Sequence, residues 1–246
     1  MKASKLFLAA LFSVGVASIA TAEDGDNPGG FGIKGGVGFS TISFGNPSES
    51  GLELKNSNNS WKLGGLLGVS YEARMGKMFA LDIEALLANK GVKRTESVPN
   101  ALIDANYELK TNLYTVDIPI SAKFYFGDNF NVYLGPYFSY ILGANVKSSG
   151  SINGNSQSKE TNNWYGDDYK DANGNTPLKR FDVGANLGLE FVTNGGFGVG
   201  ARFQKGFVDL TNNDYRGTIS NDGWLPGGDN KFVSNTGIQV YGIFRF

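Results

Sequence analysis

The sequence predicts an all-β fold, an eight-stranded antiparallel up-and-down transmembrane β-barrel. Three observations carry this prediction. After residue 30, apolar residues alternate with small or polar ones through most of the chain, which is the period of a β-strand. Tight turns and long polar connections alternate between these segments, an asymmetry typical of outer-membrane barrels. In nearly every segment, charged residues avoid the alternate positions that hold the apolar residues, which we call the apolar parity.

The strands follow one another in chain order. The first alternates through "FGIKGGVGF" from Phe31, the second begins at Trp61, and the third begins at Phe79 after a tight turn. All eight are longer than the ~5 or 6 residues usual in globular sheets and suit tilted strands that cross a bilayer. Their apolar sets occupy residues 31–39, 61–73, 79–87, 114–126, 130–142, 181–191, 197–203 and 236–246.

The connections divide into two classes. Residues 75–77, 127–129 and 193–195 predict tight turns, and residues 45–59, 92–110, 144–179 and 210–231 predict long polar loops. Because the two classes alternate along the chain, we expect the turns at one end of the barrel and the loops at the other.

A soluble β-sandwich has the same period and is the main alternative. The two differ in which parity meets solvent, since a sandwich buries its apolar parity and a barrel turns it toward lipid. A charge at the midplane of a lipid-facing wall costs ~2 to 4 kcal/mol, so a barrel must keep that parity free of charge. Lys205, near the end of the seventh strand, is the one charged residue whose position on the apolar parity is in question. Aromatic residues near the strand ends fit two interfacial girdles.

Residues 1–22 predict a secretory signal peptide, with Lys2 and Lys5 before an apolar stretch and the small-x-small pattern at Ala20 to Ala22. A membrane anchor is the alternative, but the apolar stretch is short for a span of ~20 residues. We expect a periplasmic segment at residues 23–30 and the barrel at residues 31–246.

The chain has no cysteine and no histidine. Disulfides and a lipidated cysteine are therefore excluded, as are hydrolase mechanisms that need a histidine base. The sequence predicts a protein that is not an enzyme, with no cofactor, no metal and no nucleic-acid partner.

Inward-facing charges predict a salt-bridge network, because an eight-stranded barrel is just wide enough to be filled by side chains and unpaired buried charges are costly. The candidates for this interior charge network are Lys34, Asp82, Glu84, Asp117, Lys123 and Arg202. A narrow ion or proton path is the alternative.

Two predicted loops carry aromatic residues among polar ones. Trp164, Tyr165, Tyr169 and Trp224 are candidates for binding an extracellular protein or glycan; packing on the barrel rim is the alternative. The segment "DDYKDANGN" at residues 167–175 is similar to the start of a calcium loop but lacks its downstream acid, which favours an Asn-Gly turn.

The last strand places Phe244 and Phe246 on its lipid face, and we expect it to close against the first strand and leave no edge. A terminal aromatic of this kind resembles the signal that the outer-membrane assembly machinery recognises. That machinery and outer-membrane lipid are the expected partners of a monomer.

Five strand motifs resemble the outer-membrane β-barrel domain of the PorT type, which is abundant in the Bacteroidota. They are "FGIKGGVGFSTI", "DIPISAKFYFG", "VYLGPYFSYILGA", "FDVGANLGLEF" and "GVGARFQKG". The resemblance implies a porin-like barrel without catalytic residues, and implies that some relatives assist secretion or maturation of surface proteins.

The sequence therefore predicts a non-enzymatic integral protein of the outer membrane of a Gram-negative bacterium. Its interior is expected to be polar and filled by side chains, and its long extracellular loops suit a structural or surface-interaction role. Two alternatives stay open, a narrow porin-like channel and an accessory component of surface-protein secretion.

Overall fold

The structure of the protein is a computed structural model that describes residues 29–44, 57–100, 103–152, 155–161, 170–176, 178–210, 212, 214 and 233–246. The predicted signal peptide at residues 1–22 lies outside these ranges. The described ranges contain nine strands: β1 (Phe31–Phe44), β2 (Ser57–Arg74), β3 (Phe79–Asn100), β4 (Ile103–Phe126), β5 (Phe130–Ile152), β6 (Asn155–Thr161), β7 (Phe181–Val192), β8 (Phe197–Gly206) and β9 (Val233–Arg245). No helix in these ranges is long and apolar enough to cross a membrane.

Eight of the strands close into a barrel, which confirms the predicted fold. Each pairs antiparallel with its neighbours in the order β1-β2-β3-β4-β5-β7-β8-β9. The ring closes between β1 and β9 over thirteen residue pairs, from Gly32↔Arg245 to Phe44↔Val233. Closure leaves no unpaired edge within the membrane, where unsatisfied backbone groups are costly.

Strand β6 is additional to the eight predicted strands. It pairs with the outer part of β5, from Val146↔Thr161 to Ile152↔Asn155, above the stretch of β5 that pairs with β7. Strands β3 and β4 also continue far beyond the apolar band and remain paired up to Asn100↔Ile103.

Two predicted loops are therefore wrong in part, since residues 92–110 are mostly strand and the region 144–179 begins with strand. Beyond the apolar band, β3 and β5 lose the alternation of apolar and polar residues that marks a strand in the sequence. Residues 103–110 of β4 keep it, with Ile103, Ala105, Tyr107 and Leu109 at alternate positions, so that part of the strand was missed although its signal was present.

The predicted tight turns are confirmed at the opposite end. Gly76 (φ 91°) and Gly127 (φ 75°) lie within two of these turns, and Gly196 (φ 82°) directly follows the third. Residues other than glycine rarely adopt this conformation. In outer-membrane barrels the short turns face the periplasm and the longer loops face outward. We therefore call the end with these turns the periplasmic end and the end with the extended strands the extracellular end.

The exposure of the strand side chains distinguishes a lipid-facing barrel from a soluble β-sandwich. Adjacent residues of β1 illustrate the pattern, because the charged Lys34 is 1% exposed whereas the apolar Ile33 is 49% exposed. The same inversion recurs around the wall, with Leu67 61% exposed and Asp117 fully buried. A soluble protein does the reverse, so the apolar surface is the lipid-facing wall.

Candidate functional site: the filled barrel interior

Glycines on the inner wall make room for large inward side chains. A Cβ at Gly188 would collide with the ring of Tyr133, and one at Gly200 would collide with the ring of Tyr241. Both tyrosines are almost fully buried. At these two positions, the missing glycine side chain makes room for a tyrosine ring inside the barrel.

Lys34 of β1 lies at the centre of the interior. Its Nζ is 2.9 Å from Glu84 Oε1, 3.1 Å from Glu190 Oε2 and 3.3 Å from Asp82 Oδ2. One ammonium group thus joins carboxylates of β3 and β7 across the lumen.

Lys123 of β4 forms a second bridge nearer the periplasmic end. Its Nζ is 2.9 Å from Glu72 Oε2, 3.0 Å from Asp82 Oδ2 and 2.9 Å from Glu190 Oε1. Asp82 and Glu190 are therefore shared by both lysines, which makes the two clusters one network.

Arg202 of β8 completes the centre. Its guanidinium pairs with Glu84 and donates from Nε to Tyr133 Oη at 3.2 Å. The hydroxyls of Tyr133 and Tyr241 are 2.8 Å apart, and Tyr241 donates to Glu190 Oε2 at 3.1 Å. Hydrogen bonds thus connect Arg202 through Tyr133 and Tyr241 to Glu190, which both lysines also contact.

Arg245 extends the network to the periplasmic mouth. Its Nη2 is 2.7 Å from Glu72 Oε2 and 2.9 Å from Glu190 Oε1. Tyr125 donates to Glu72 Oε1 at 2.6 Å, and the Arg74 guanidinium lies 3.6 Å from the centre of the Tyr125 ring.

The network is close to neutral. Four carboxylates, Glu72, Asp82, Glu84 and Glu190, meet the buried cations Lys34, Lys123 and Arg202 and the nearly buried Arg245, with Arg74 at the edge. Charges removed from water need opposite partners and hydrogen bonds. Each of these cations has a carboxylate partner, and the side chains occupy the space that an ion would need. Among the described residues, Asp82 Oδ1, Glu84 Oε2 and Arg202 Nη1 have no hydrogen-bond partner.

The predicted network residues divide into two groups. Lys34, Asp82, Glu84, Lys123 and Arg202 meet in the network, whereas Asp117 lies apart and pairs with Lys90 at 2.6 Å and with Ser139 Oγ at 2.6 Å. Close to this second group, Tyr137 donates to Asp182 at 2.9 Å.

Sequence reasoning left out several central residues: Glu72, Glu190, Arg245, Tyr125, Tyr133 and Tyr241. All share the inward parity of their strands. Parity was the available signal, but parity does not give height along the barrel.

The extracellular end of the interior is apolar. A buried cluster there comprises Ile42, Val92, Leu113, Ile141, Ala144, Val146, Leu178 and Leu210. Leu178 lies before β7 and Leu210 lies after β8. The backbone N–H of Lys179 donates to Leu210 O at 2.8 Å and joins these two connections. Below the cluster, a cavity beside Ser40, Lys90 and Gln239 has a volume of about 10 Å³, which is room for about one water molecule.

The aromatic loop candidates Trp164, Tyr165, Tyr169 and Trp224 lie outside the described residues. Part of the calcium-like segment is described, and it forms a turn in which Asp171 Oδ1 accepts from the backbone N–H of Asn173 and Asn175. Across the described ranges, no group of three or more His, Cys, Asp or Glu side chains could hold a metal ion.

The two aromatics predicted as an assembly signal lie on the outer wall. The ring centre of Phe244 is 4.6 Å from that of Phe197, and the backbone N–H of Phe246 donates to Phe31 O at 3.0 Å. Their role in assembly stays a prediction.

Solved structures of other outer-membrane proteins are similar to this chain. Ail of Yersinia pestis is 12% identical, with 89% of this chain and 100% of Ail covered and a TM-score of 0.37. Neisserial surface protein A is 11% identical, with 90% and 100% covered and a TM-score of 0.43. OprG of Pseudomonas aeruginosa is 13% identical, with 90% and 99% covered and a TM-score of 0.39.

A comparison with curated proteins finds no match. The family model described as "Outer membrane protein beta-barrel domain" matches residues 23–212, which is most of the chain. The match agrees with the closed barrel and its lipid-facing apolar wall, and it places the protein in the outer membrane of a Gram-negative bacterium. This chain belongs to the outer membrane protein β-barrel domain family.

Proposed function

We propose that the protein is a non-enzymatic outer-membrane barrel that acts at the cell surface through its extracellular strands and loops. The observation that carries this proposal is the filled lumen. A near-neutral network joined by Lys34, Lys123 and Arg245 occupies the periplasmic half, and buried apolar side chains close the extracellular half. A hydrated ion would have to displace paired charges and then cross an apolar layer.

The projecting sheet supports the surface role. Strands β3, β4, β5 and β6 continue as a paired sheet beyond the apolar band. An ordered sheet of this kind is a rigid support for adjoining loops, which is where binding residues are commonly found. The aromatic candidates of the region 162–169 follow β6 directly in the chain and are proposed to bind a protein or glycan.

Single-channel recording in planar bilayers tests the filled lumen. We expect no conductance steps from the purified barrel under conditions in which a general porin conducts. Reproducible steps that change with Asp82→Ala or Arg202→Ala would instead favour the narrow channel.

The finer assignment to the PorT type and an accessory role in surface-protein secretion form a second proposal, which rests on the strand motifs alone. Deletion of the gene followed by a surface proteome distinguishes the two roles. Loss of several surface proteins would favour secretion, and an unchanged surface proteome would favour direct surface interaction.

A further inference from the structure

Three lysines stand side by side on the outer face of the projecting sheet. Lys93 of β3 lies directly opposite Lys110 of β4, which in turn lies directly opposite Lys147 of β5. We refer to these three residues as the lysine row. Like charges directly opposite one another destabilise a sheet, and an anion beside them offsets this repulsion.

The side of the wall that the row occupies follows from the register. The neighbouring positions Val92, Thr111 and Val146 are buried toward the interior. Since successive side chains of a strand point to opposite faces, the lysine row points outward, on the same side as the lipid-facing residues. Lys110 and Lys147 are exposed.

The height of the row follows from the same pairing. Tyr114 is 43% exposed on the outer wall and lies opposite Asn89 and Gly143. Outward tyrosines of this kind mark the boundary of the hydrocarbon. Lys110 is four residues further out, which for a strand tilted by about 40° is roughly 10 Å above Tyr114. This is the level of the lipid headgroups.

The carboxylate that bridges two lysines of the row lies on the side away from the membrane. Glu108 accepts from Lys93 at 2.8 Å and from Lys110 at 2.7 Å, but it lies two residues farther from the bilayer. In the strand register, Glu160 of β6 pairs with Lys147. Three lysines and two glutamates keep a net positive charge.

Between the lysine row and Tyr114 lies a row of neutral residues, Gly91, Asn112 and Asn145. Lys62 Nζ donates to Asn89 Oδ1 at 2.7 Å, and Asn89 lies in the same row as Tyr114. The space facing the headgroups is thus lined by ammonium and amide groups.

We propose that the lysine row binds the phosphate groups of phosphorylated lipid headgroups in the outer leaflet. Long lysine side chains extend back toward the membrane surface while their apolar stems cover the wall. Basic residues at a membrane surface attract anionic headgroups by this geometry. The lysine row does not depend on the filled lumen, so a failed lipid-binding test would leave the proposed function unaffected.

Native mass spectrometry of the purified full-length barrel in neutral detergent tests the proposal. The probe is a diphosphorylated glycolipid, titrated beside its dephosphorylated form and beside inorganic phosphate. The variants are Lys93→Gln, Lys110→Gln and Lys147→Gln, singly and together, with Lys77→Gln in a periplasmic turn as the matched control. A heat-dependent gel shift checks that each variant is folded.

We expect the phosphorylated lipid to bind preferentially to the unaltered protein and to the Lys77→Gln control. Each row lysine removed weakens binding roughly fivefold, and the triple variant roughly 100-fold. Equal binding of both lipid forms, undiminished binding by a folded triple variant, or equal competition by inorganic phosphate would each overturn the proposal.

Discussion

Lys123 and Glu190 face each other across the barrel lumen, with Lys123 Nζ 2.9 Å from Glu190 Oε1 and both side chains fully buried. The same carboxylate also contacts Lys34 and Arg245. Glu190 thus balances two fully buried lysines and an arginine whose side chain is 12% exposed. Its removal should be far more costly than removal of a carboxylate at the surface.

Glu190→Gln is expected to lower the free energy of unfolding by about 3 to 5 kcal/mol, because it leaves buried charge uncompensated. Urea unfolding in lipid vesicles measures this difference. Glu108→Gln is the matched control, since Glu108 also bridges two lysines but is 32% exposed, and it should change stability by less than about 1 kcal/mol. Similar effects of the two substitutions would contradict the interpretation.

Gly188→Ala is expected to destabilise the barrel by about 1 to 3 kcal/mol, because the new methyl group meets the ring of Tyr133 in a filled interior. Gly242→Ala is the control. A Cβ at Gly242 approaches only Gly198 O and Gly35 O, both at 3.9 Å, which is ordinary contact. The temperature of the heat-dependent gel shift compares the two, and equal shifts would argue against tight packing around Tyr133.

Leu67→Arg is expected to cost about 2 to 4 kcal/mol if the exposed apolar wall contacts lipid. Leu67 is 61% exposed and lies between Gly35 and Leu87 on neighbouring strands. Met78→Arg at the periplasmic turn is comparably exposed at 71% and should cost about 0 to 1 kcal/mol. Folding yield into vesicles measures both, and equal yields would place Leu67 outside the hydrocarbon.

Glu108 gives a prediction for pH. Hydrogen bonds from Lys110 and Lys93 lower the pKa of this carboxyl below its ordinary value. A depressed folded-state pKa stabilises the protein above the unfolded-state pKa, and this contribution is lost as the pH falls through the folded-state pKa. Because the site is exposed, the effect on stability should be small.

NMR titration of Glu108 tests that prediction in a site-specific way. Its pKa should rise toward the ordinary range in Lys110→Gln, while the Lys77→Gln variant should leave it unchanged. An unchanged pKa in Lys110→Gln would mean that the ion pair does not form in solution.

The alternation of residues in the sequence was enough to predict whether each membrane-spanning side chain points into the barrel or toward lipid. Lys34, Asp82 and Arg202 were assigned to the interior because they alternate with apolar residues, and a side chain's face follows from position along a strand alone. Their partners were beyond reach, since a partner across the lumen depends on the stagger of all eight strands. Asp117 demonstrates this, because it shares its parity and strand with Lys123 yet lies too high to join the same network.

The sequence by itself determined the membrane barrel, its inside and outside, and the turns at one end, because period, charge exclusion and glycine are local properties of the chain. Only the tertiary structure decided that the interior is closed by two layers and that Lys93, Lys110 and Lys147 form one row. Residues far apart in sequence become neighbours through strand register. Alternation along one strand gives the face that a side chain occupies, but not the residue that lies opposite it on the next strand.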